Sequence, residues 1–368
     1  MALCPHCATS VRLVYNSAMD IVFPLLAVYI ALMYIGDKWL AARPYKGPIT
    51  DHWNGKKFYS WGMHPGNGLE EHNDWKFLSW WLRGRKRSKW QHRTNRFSAK
   101  PKERIFGRDL VVTFVNHATV LIQTEGLNII TDPVWSKRVS PFWLIGPARY
   151  RPVGVAFADL PPIDVVLISH NHYDHMDIPT LKRINKKWKP KIYAGLGNAR
   201  FLRSRGIRGA VDLDWWDKEV VTPGISIVCA PGQHFSCRAV SDRNKTLWCG
   251  FVIETTHGAI YFAGDTGYGP FVQKLHERYK TLRLAILPIG AFRPEWFMGP
   301  VHTSPDQAMQ MHRELHAKTS VAVHFGTFRL ADDDQDEPPE RISHLLAVAP
   351  EPKPNFIVLE NGELTSVE

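Results

Sequence analysis

The sequence predicts a mixed α/β protein, with sheets that carry helices on their outer faces, preceded by an apolar N-terminal segment. Three observations predict it. From Asp109 onward, short apolar runs alternate with turns, and amphipathic stretches fall between them. Of the 368 residues, 44% are hydrophobic, enough for a sizeable core. Ile21 to Gly36 is a run of 16 residues without a charge. At about 150 residues per domain the length allows one large domain or two small ones. We divide the chain into an N-terminal segment 1–40, a basic connecting segment 41–104 and a main folded unit 105–368.

As a helix, the run 21–36 spans roughly 24 Å, short of the ~30 Å hydrocarbon core of a bilayer. A membrane anchor, a signal peptide and a buried helix are the competing readings. The anchor is preferred because Asp37 and Lys38 follow the run and no small-x-small cleavage site does. Tyr15, Tyr34 and Trp39 are placed like interfacial aromatics. Arg12 is the only basic residue before the run, whereas Lys38, Arg43, Lys46, Lys56 and Lys57 follow it. That asymmetry puts the bulk of the chain on the cytoplasmic side.

The connecting segment carries Arg83, Arg85, Lys86, Arg87, Lys89, Arg93 and Arg96, interleaved with Trp80, Trp81 and Trp90. Such a run is either a solvated face or a contact with anionic head groups, worth about 1 kcal/mol per basic residue near the surface. The net charge of +11 suits an anionic membrane surface. Nucleic acid is not expected, because no nucleic-acid-binding motif accompanies the basic run. Five cysteines exclude a disulfide-stapled small domain. Cys4 and Cys7 form a lone CxxC, and Cys229, Cys237 and Cys249 read as free thiols.

The expected strands are Leu110 to Val115, Val120 to Gln123, Asn128 to Thr131, Val165 to Ser169, Ile225 to Ala230, Leu247 to Glu254, Ala259 to Ala263, Leu284 to Pro288, Ser320 to Val323 and Phe356 to Leu359. Helices are expected at Asn198 to Arg205, Pro270 to Tyr279, after the N-cap pair Ser304–Pro305, and near Glu340 to Ala347.

The apolar run VVLIS ends in His170-Asn171-His172-Tyr173-Asp174-His175, an HxHxDH pattern at a strand end. Residues two apart point the same way in an extended segment, so His170 and His172 share a face. Asp174 and His175 continue into a turn, where they can face a second ion. Imidazole and carboxylate suit zinc. His234, Asp265 and His324 each lie just beyond a later apolar strand. Repetition of one arrangement is what a binuclear site at a sheet mouth requires.

This set resembles the metallo-β-lactamase superfamily. NHATVLIQ, TDPVWS, HNHYDHMD, FAGDTGY, PIGAFRPEWFM, VHTSPDQA and HFGTF together resemble the N-acylphosphatidylethanolamine-hydrolysing phospholipase D family over about two thirds of the chain. Asn116 before His117 departs from the family, where Gly is more common. The resemblance implies an αββα sandwich with two zinc ions at one edge. His170, His172 and His234 would hold one, and Asp174, His175 and His324 the other, with Asp265 bridging. It also implies a phospholipid substrate cleaved at phosphorus, with Asp174 and Asp265 in the catalytic centre. His302 is the candidate for phosphate contact or leaving-group protonation. His117 and Asp132 are candidate supports for the ligands, and Asp177 either orients a ligand or caps a helix. Arg293 and Arg329 are candidate phosphate partners. Trp215, Trp216, Trp248, Phe292, Trp296 and Phe297 belong either to the core or to a lipid groove. The alternatives are a hydrolase on the same scaffold acting on a lactone or a soluble phosphodiester, and an inactive lipid-binding scaffold. A homodimer is compatible with the sequence, which fixes no oligomeric state.

Overall fold

The structure, a computed structural model, describes residues 25–60, 79, 90–142 and 144–368. Cys4 and Cys7, Trp80 and Trp81, and the basic residues from Arg83 to Lys89 lie outside the described residues. The chain divides into two compact units, Met1–Ala41 with Ala239–Ser241, and Ala42–Arg238 with Asp242–Glu368. In the smaller unit, residues 25–40 form helix α1, with Leu25, Tyr29, Ile30, Leu32 and Ile35 exposed. Ser241 N–H donates to the Asp37 carboxylate at 3.0 Å. Only part of the expected anchor is described, and no described helix is long and apolar enough to cross a membrane.

The larger unit holds two seven-stranded sheets. The first has the order β14-β1-β2-β3-β4-β5-β6 and the second β13-β12-β11-β10-β9-β8-β7. In the first sheet β1 is Leu110–Asn116, β2 Thr119–Thr124, β3 Leu127–Thr131, β4 Val165–Ile168, β5 Lys191–Gly195, β6 Ala210–Leu213 and β14 Leu364–Val367. In the second β7 is Lys218–Thr222, β8 Ile225–Ala230, β9 Gly250–Thr255, β10 Gly258–Phe262, β11 Leu282–Pro288, β12 Ala317–Val323 and β13 Phe356–Ile357. Each sheet begins as an antiparallel meander and continues as parallel strands. The helices are α2 (Ile178–Trp188), α3 (Asn198–Ser204), α4 (Phe271–Tyr279), α5 (Glu295–Met298), α6 (Pro305–Glu314) and α7 (Glu337–Val348).

Period-two alternation explains the layering. Along β4, Val165 and Leu167 pack in the core between the sheets, with Val228, Phe251 and Ile286 of the second sheet. Val166 and Ile168 point the other way, onto Leu181 and Ile184 of α2 and Phe201 and Leu202 of α3. A strand buried on both faces has to be a continuous apolar run, which is how β4 reads. The result is the αββα sandwich.

Several expected bounds shift for physical reasons. The strand expected from Leu247 starts at Gly250, because Leu247 N–H bonds to Leu196 O and Trp248 O accepts from Trp215 Nε1 instead of a ladder partner. The last expected strand keeps only Phe356–Ile357, and the helix expected at Glu340 starts at Glu337 with Pro338 in its first turn. Strands β5, β6, β7 and β14 and helices α2 and α5 are not among the expected elements. Trp53 and Phe58 of the connecting segment are fully buried in the main core. Arg93 is bound bidentately by Asp336 at 2.6 and 2.5 Å, so this member of the basic run faces a protein carboxylate. Trp90 donates to Asp333 O.

Buried His52 sits between Asp51 (2.6 Å) and Asp214 (2.7 Å), stacked on Trp215. Burial opposes its charge, but the hydrogen bonds and charges of Asp214 and Asp51 outweigh it and raise its pKa. A raised folded-state pKa gives stability that is fully present below the unfolded value of ~6.5 and is lost as pH rises through the folded value. His52→Gln should therefore lose about 1 kcal/mol of stability at pH 6 and progressively less at higher pH. Thermal melts across pH 6 to 9 check this, and an equal loss at both ends would assign the effect to packing on Trp215.

Candidate metal centre

All the expected donors collect at one edge of the sandwich, just past the C-terminal ends of their strands. β4 delivers His170 to His175, β8 delivers His234, the turn after β10 delivers Asp265, and β12 delivers His324. The turn at Asp265 depends on Gly264, whose φ is +63° and whose position would put a Cβ 2.4 Å from Ser169 Cβ. His324 itself takes φ 63° and donates its N–H to His117 O at 2.8 Å. A non-glycine residue held in this region is costly and marks a constrained site. Ser304 caps α6 in a reciprocal pair with Gln307 and so fixes the turn that presents His302.

The donor atoms form adjoining, overlapping groups. His170 Nε2 and His234 Nε2 approach His172 Nδ1 at 2.7 and 3.3 Å. His117, Asp174, His175 and His324 form the second group, and His234, Asp265 and His302 a third that overlaps the first. Asp265 Oδ2 lies between them, 3.1 Å from His175 Nε2, 3.0 Å from His324 Nε2, 3.8 Å from His234 Nε2 and 4.0 Å from His170 Nε2. Burial pushes His172 and His234 down to about 3 and His170 well below its ordinary value, so all three are neutral and available as ligands. Burial also opposes charge on His175 and His324. The carboxylates of Asp265 and Asp174 reverse this, aided at His175 by Asp132, and hold His175 well above its ordinary value and His324 at about 9. The two carboxylates are held well below theirs by the facing histidines, against their own burial.

These residues fit divalent ions. His175 Nε2 and His324 Nε2 are buried at contact distance from carboxylate oxygen, yet neither forms an aligned hydrogen bond, and Asp265 Oδ1 is also unpartnered. Buried polar atoms left unpartnered are costly, and a shared cation satisfies them together. Outer hydrogen bonds set the rings. Asp132 accepts from His175 Nδ1 at 2.6 Å and from Ser169 N–H and Oγ, and His234 Nδ1 donates to Val301 O at 2.8 Å. Both leave Nε2 facing the donor cluster.

Residues 127–325 match the beta-lactamase superfamily domain. The chain is 36% identical over 267 residues to N-acyl-phosphatidylethanolamine-hydrolyzing phospholipase D 1 of Caenorhabditis elegans, covering 69% of this chain and 75% of that protein. The chain belongs to the N-acylphosphatidylethanolamine-hydrolysing phospholipase D family of the metallo-β-lactamase superfamily. It is also 34% identical over 228 residues to the mitochondrial protein of that name from Saccharomyces cerevisiae, covering 60% of this chain and 48% of the yeast protein. Among solved structures, Igni18, a metallo hydrolase from Ignicoccus hospitalis, aligns with TM-score 0.54 and 22% identity over 71% of this chain and 99% of its own, a likeness of fold. The chain is thus a metal-dependent hydrolase with His/Asp clusters able to bind metal.

Within this phospholipase D family member the remaining expected residues divide clearly. Asp132 supports His175, and His117 Nε2 bonds to Asp174 Oδ2 at 2.9 Å. Asn116, the departure from the family, accepts from Arg149 through Oδ1 and donates to Val134 O. Asp177 neither orients a ligand nor caps α2 with its side chain. Its carboxylate accepts from the backbone of Trp135 and Ser136 and from the Ser136 hydroxyl. Arg293 is occupied by Glu295 and Glu337. Trp215, Trp248 and Phe292 are core, Trp216 packs against it, and Trp296 is exposed beside half-buried Phe297. Arg238 was missed. From a loop over sixty residues away it binds Asn171 O and Met176 O, bracing the HxHxDH turn, and its guanidinium lies over the Tyr173 and Phe201 rings at 4.0 and 5.0 Å. Asp132→Ala should weaken metal affinity by about 10- to 100-fold. Zinc titration against a competing chelator measures it, and unchanged affinity would reduce Asp132 to a packing role.

Proposed function

We propose that the protein is a zinc phosphodiesterase of the phospholipase D type, which hydrolyses N-acylphosphatidylethanolamine to N-acylethanolamine and phosphatidic acid. The observation that carries this reading is the position of Asp265 Oδ2, within 4.0 Å of nitrogens from both donor groups. That is where a carboxylate shared by two ions belongs. His170, His172 and His234 would hold one ion and Asp174, His175 and His324 the other, with Asp265 common to both. When bound, two divalent ions supply a water of lowered pKa and offset charge on a phosphodiester. The likeness to the nematode protein favours the phospholipid among the possible phosphodiesters. The chain's own contributions are a buried, carboxylate-braced ring set and His302, whose Nδ1 is unpartnered 3.9 Å from Asp265. Burial keeps His302 neutral, with its pKa near 3, so it would donate a hydrogen bond to the phosphate or the leaving oxygen. We place the catalytic unit at the cytoplasmic face of a membrane, on the charge asymmetry around residues 21–36.

Hydrolysis of N-acylphosphatidylethanolamine in ¹⁸O-water tests the bond that breaks. Attack at phosphorus labels the phosphatidic acid and leaves the N-acylethanolamine unlabelled. Label in free fatty acid would make the protein an amidase or esterase on the same metal scaffold. No turnover of this lipid, with turnover of a lactone or a soluble phosphodiester, would select the alternative substrates.

A further inference from the structure

The loop that follows β3 leaves the same edge as the metal centre and ends in an exposed apolar tip. We propose that this tip, through Phe142, Leu144 and Ile145, inserts into the lipid surface from which the substrate is drawn. The inference deepens the phospholipid reading above and rests on it.

The loop has a built stem. Val139 N–H bonds to Pro147 O and Arg149 N–H to Lys137 O, both at 3.0 Å, and Arg138 pairs with Ala148 across an isolated bridge. Arg138 Nη1 also donates to Gly146 O at 2.6 Å. The base of the stem is tied to Asp177 through Trp135 and Ser136, and to Val134 O and Ser136 O through Arg149. Val139 is buried against Val134 and Phe328. Phe328 in turn packs edge-on against His117 at 5.2 Å, and His117 holds Asp174. The stem is therefore continuous with the wall of the metal centre.

The tip is built differently. Phe142, Leu144 and Ile145 are 56, 63 and 68% exposed, although they are large and apolar. Trp143 lies between them in sequence. Water-facing apolar side chains clustered on one projection call for an apolar partner. Charge identifies it. No acidic residue lies between Asp132 and Asp159, and exposed Lys137 stands with half-buried Arg138 in the stem behind the tip. Apolar residues at a point with cations set behind them match the layering of an anionic bilayer, acyl chains beyond and phosphates nearer. A stable protein contact buries about 800 Å² on each partner, more than the exposed side chains of Phe142, Leu144 and Ile145 offer. Seated this way, the loop brings the metal edge to the head-group layer, where a phosphodiester lies.

Two measurements on the full-length, zinc-loaded protein test this. In the first, vesicles of phosphatidylcholine and phosphatidylglycerol carry a photoactivatable acyl chain, and cross-linked peptides are mapped. Adducts on residues 141–146 are expected. Vesicle-bound protein with adducts elsewhere only, or no vesicle binding, would overturn the proposal and leave the tip to a protein partner. In the second, Phe142→Ser, Leu144→Ser and Ile145→Ser are combined. Turnover of N-acylphosphatidylethanolamine in vesicles should fall at least about tenfold, while turnover of a short-chain, water-soluble analogue stays within about twofold. Wild-type turnover in vesicles would overturn the proposal, as would an equal fall on both substrates. If the wild type cleaves neither form, the phosphodiesterase reading fails, and the cross-linking still decides the role of the loop.

Discussion

Asp265→Asn should abolish most of the activity and lower the metal content together. The side chain keeps its size but loses the charge that faces His175, His324, His234 and His170. An amide oxygen is a poor partner for two cations at once. Loss of a shared ligand forfeits several kcal/mol of charge stabilisation, on the order of 10³-fold in kcat/KM. Elemental analysis by mass spectrometry should give close to two equivalents of zinc in the wild type and one or fewer in the variant. A fully active wild type with a single equivalent would remove the binuclear reading. A variant that keeps both ions and still loses activity would move Asp265 from ligand to substrate contact.

His302→Ala should separate metal binding from turnover. His302 stacks beside His324 and crosses the ring of His234, yet its Nδ1 makes no hydrogen bond. A neutral ring N–H at that place would contribute roughly 10²- to 10³-fold by hydrogen bonding to charge that develops in the transition state. Zinc content should stay at the wild-type level while kcat falls by that range. Loss of one ion in the variant would instead place His302 among the ligands, as its proximity to His234 and Asp265 allows.

The gathering of the candidate donors was legible because the sheet architecture announces its own mouth. A donor just beyond each buried apolar run, in VVLIS-His170, at His234, after FAG in Asp265 and after VAV in His324, can lie only at one sheet edge. What escaped the sequence had no such run behind it. Strand β14 has exposed or half-exposed residues at Leu364 to Ser366 and gains its identity only by pairing with β1. Helix α2 buries Thr180, Leu181 and Ile184 alone, and its lysines hide that face in a linear reading. The role of Arg238 depends on a fold that brings its loop under the HxHxDH turn, so no local signal encodes it. Asp177 reads equally as a ligand support or a helix cap, and the structure gives its carboxylate to the loop after β3.

The two sheets also divide ownership of the centre. The first sheet contributes His170, His172, Asp174 and His175, and the second contributes His234, Asp265 and His324. Each ion would therefore be grasped from both sides of the seam, and neither half of the polypeptide holds a complete donor set. A metal ion held this way would find its full donor set only after both sheets had formed. Once bound, it would act as a rivet across the seam, and a chelator should loosen the contact between the sheets before it unravels either sheet.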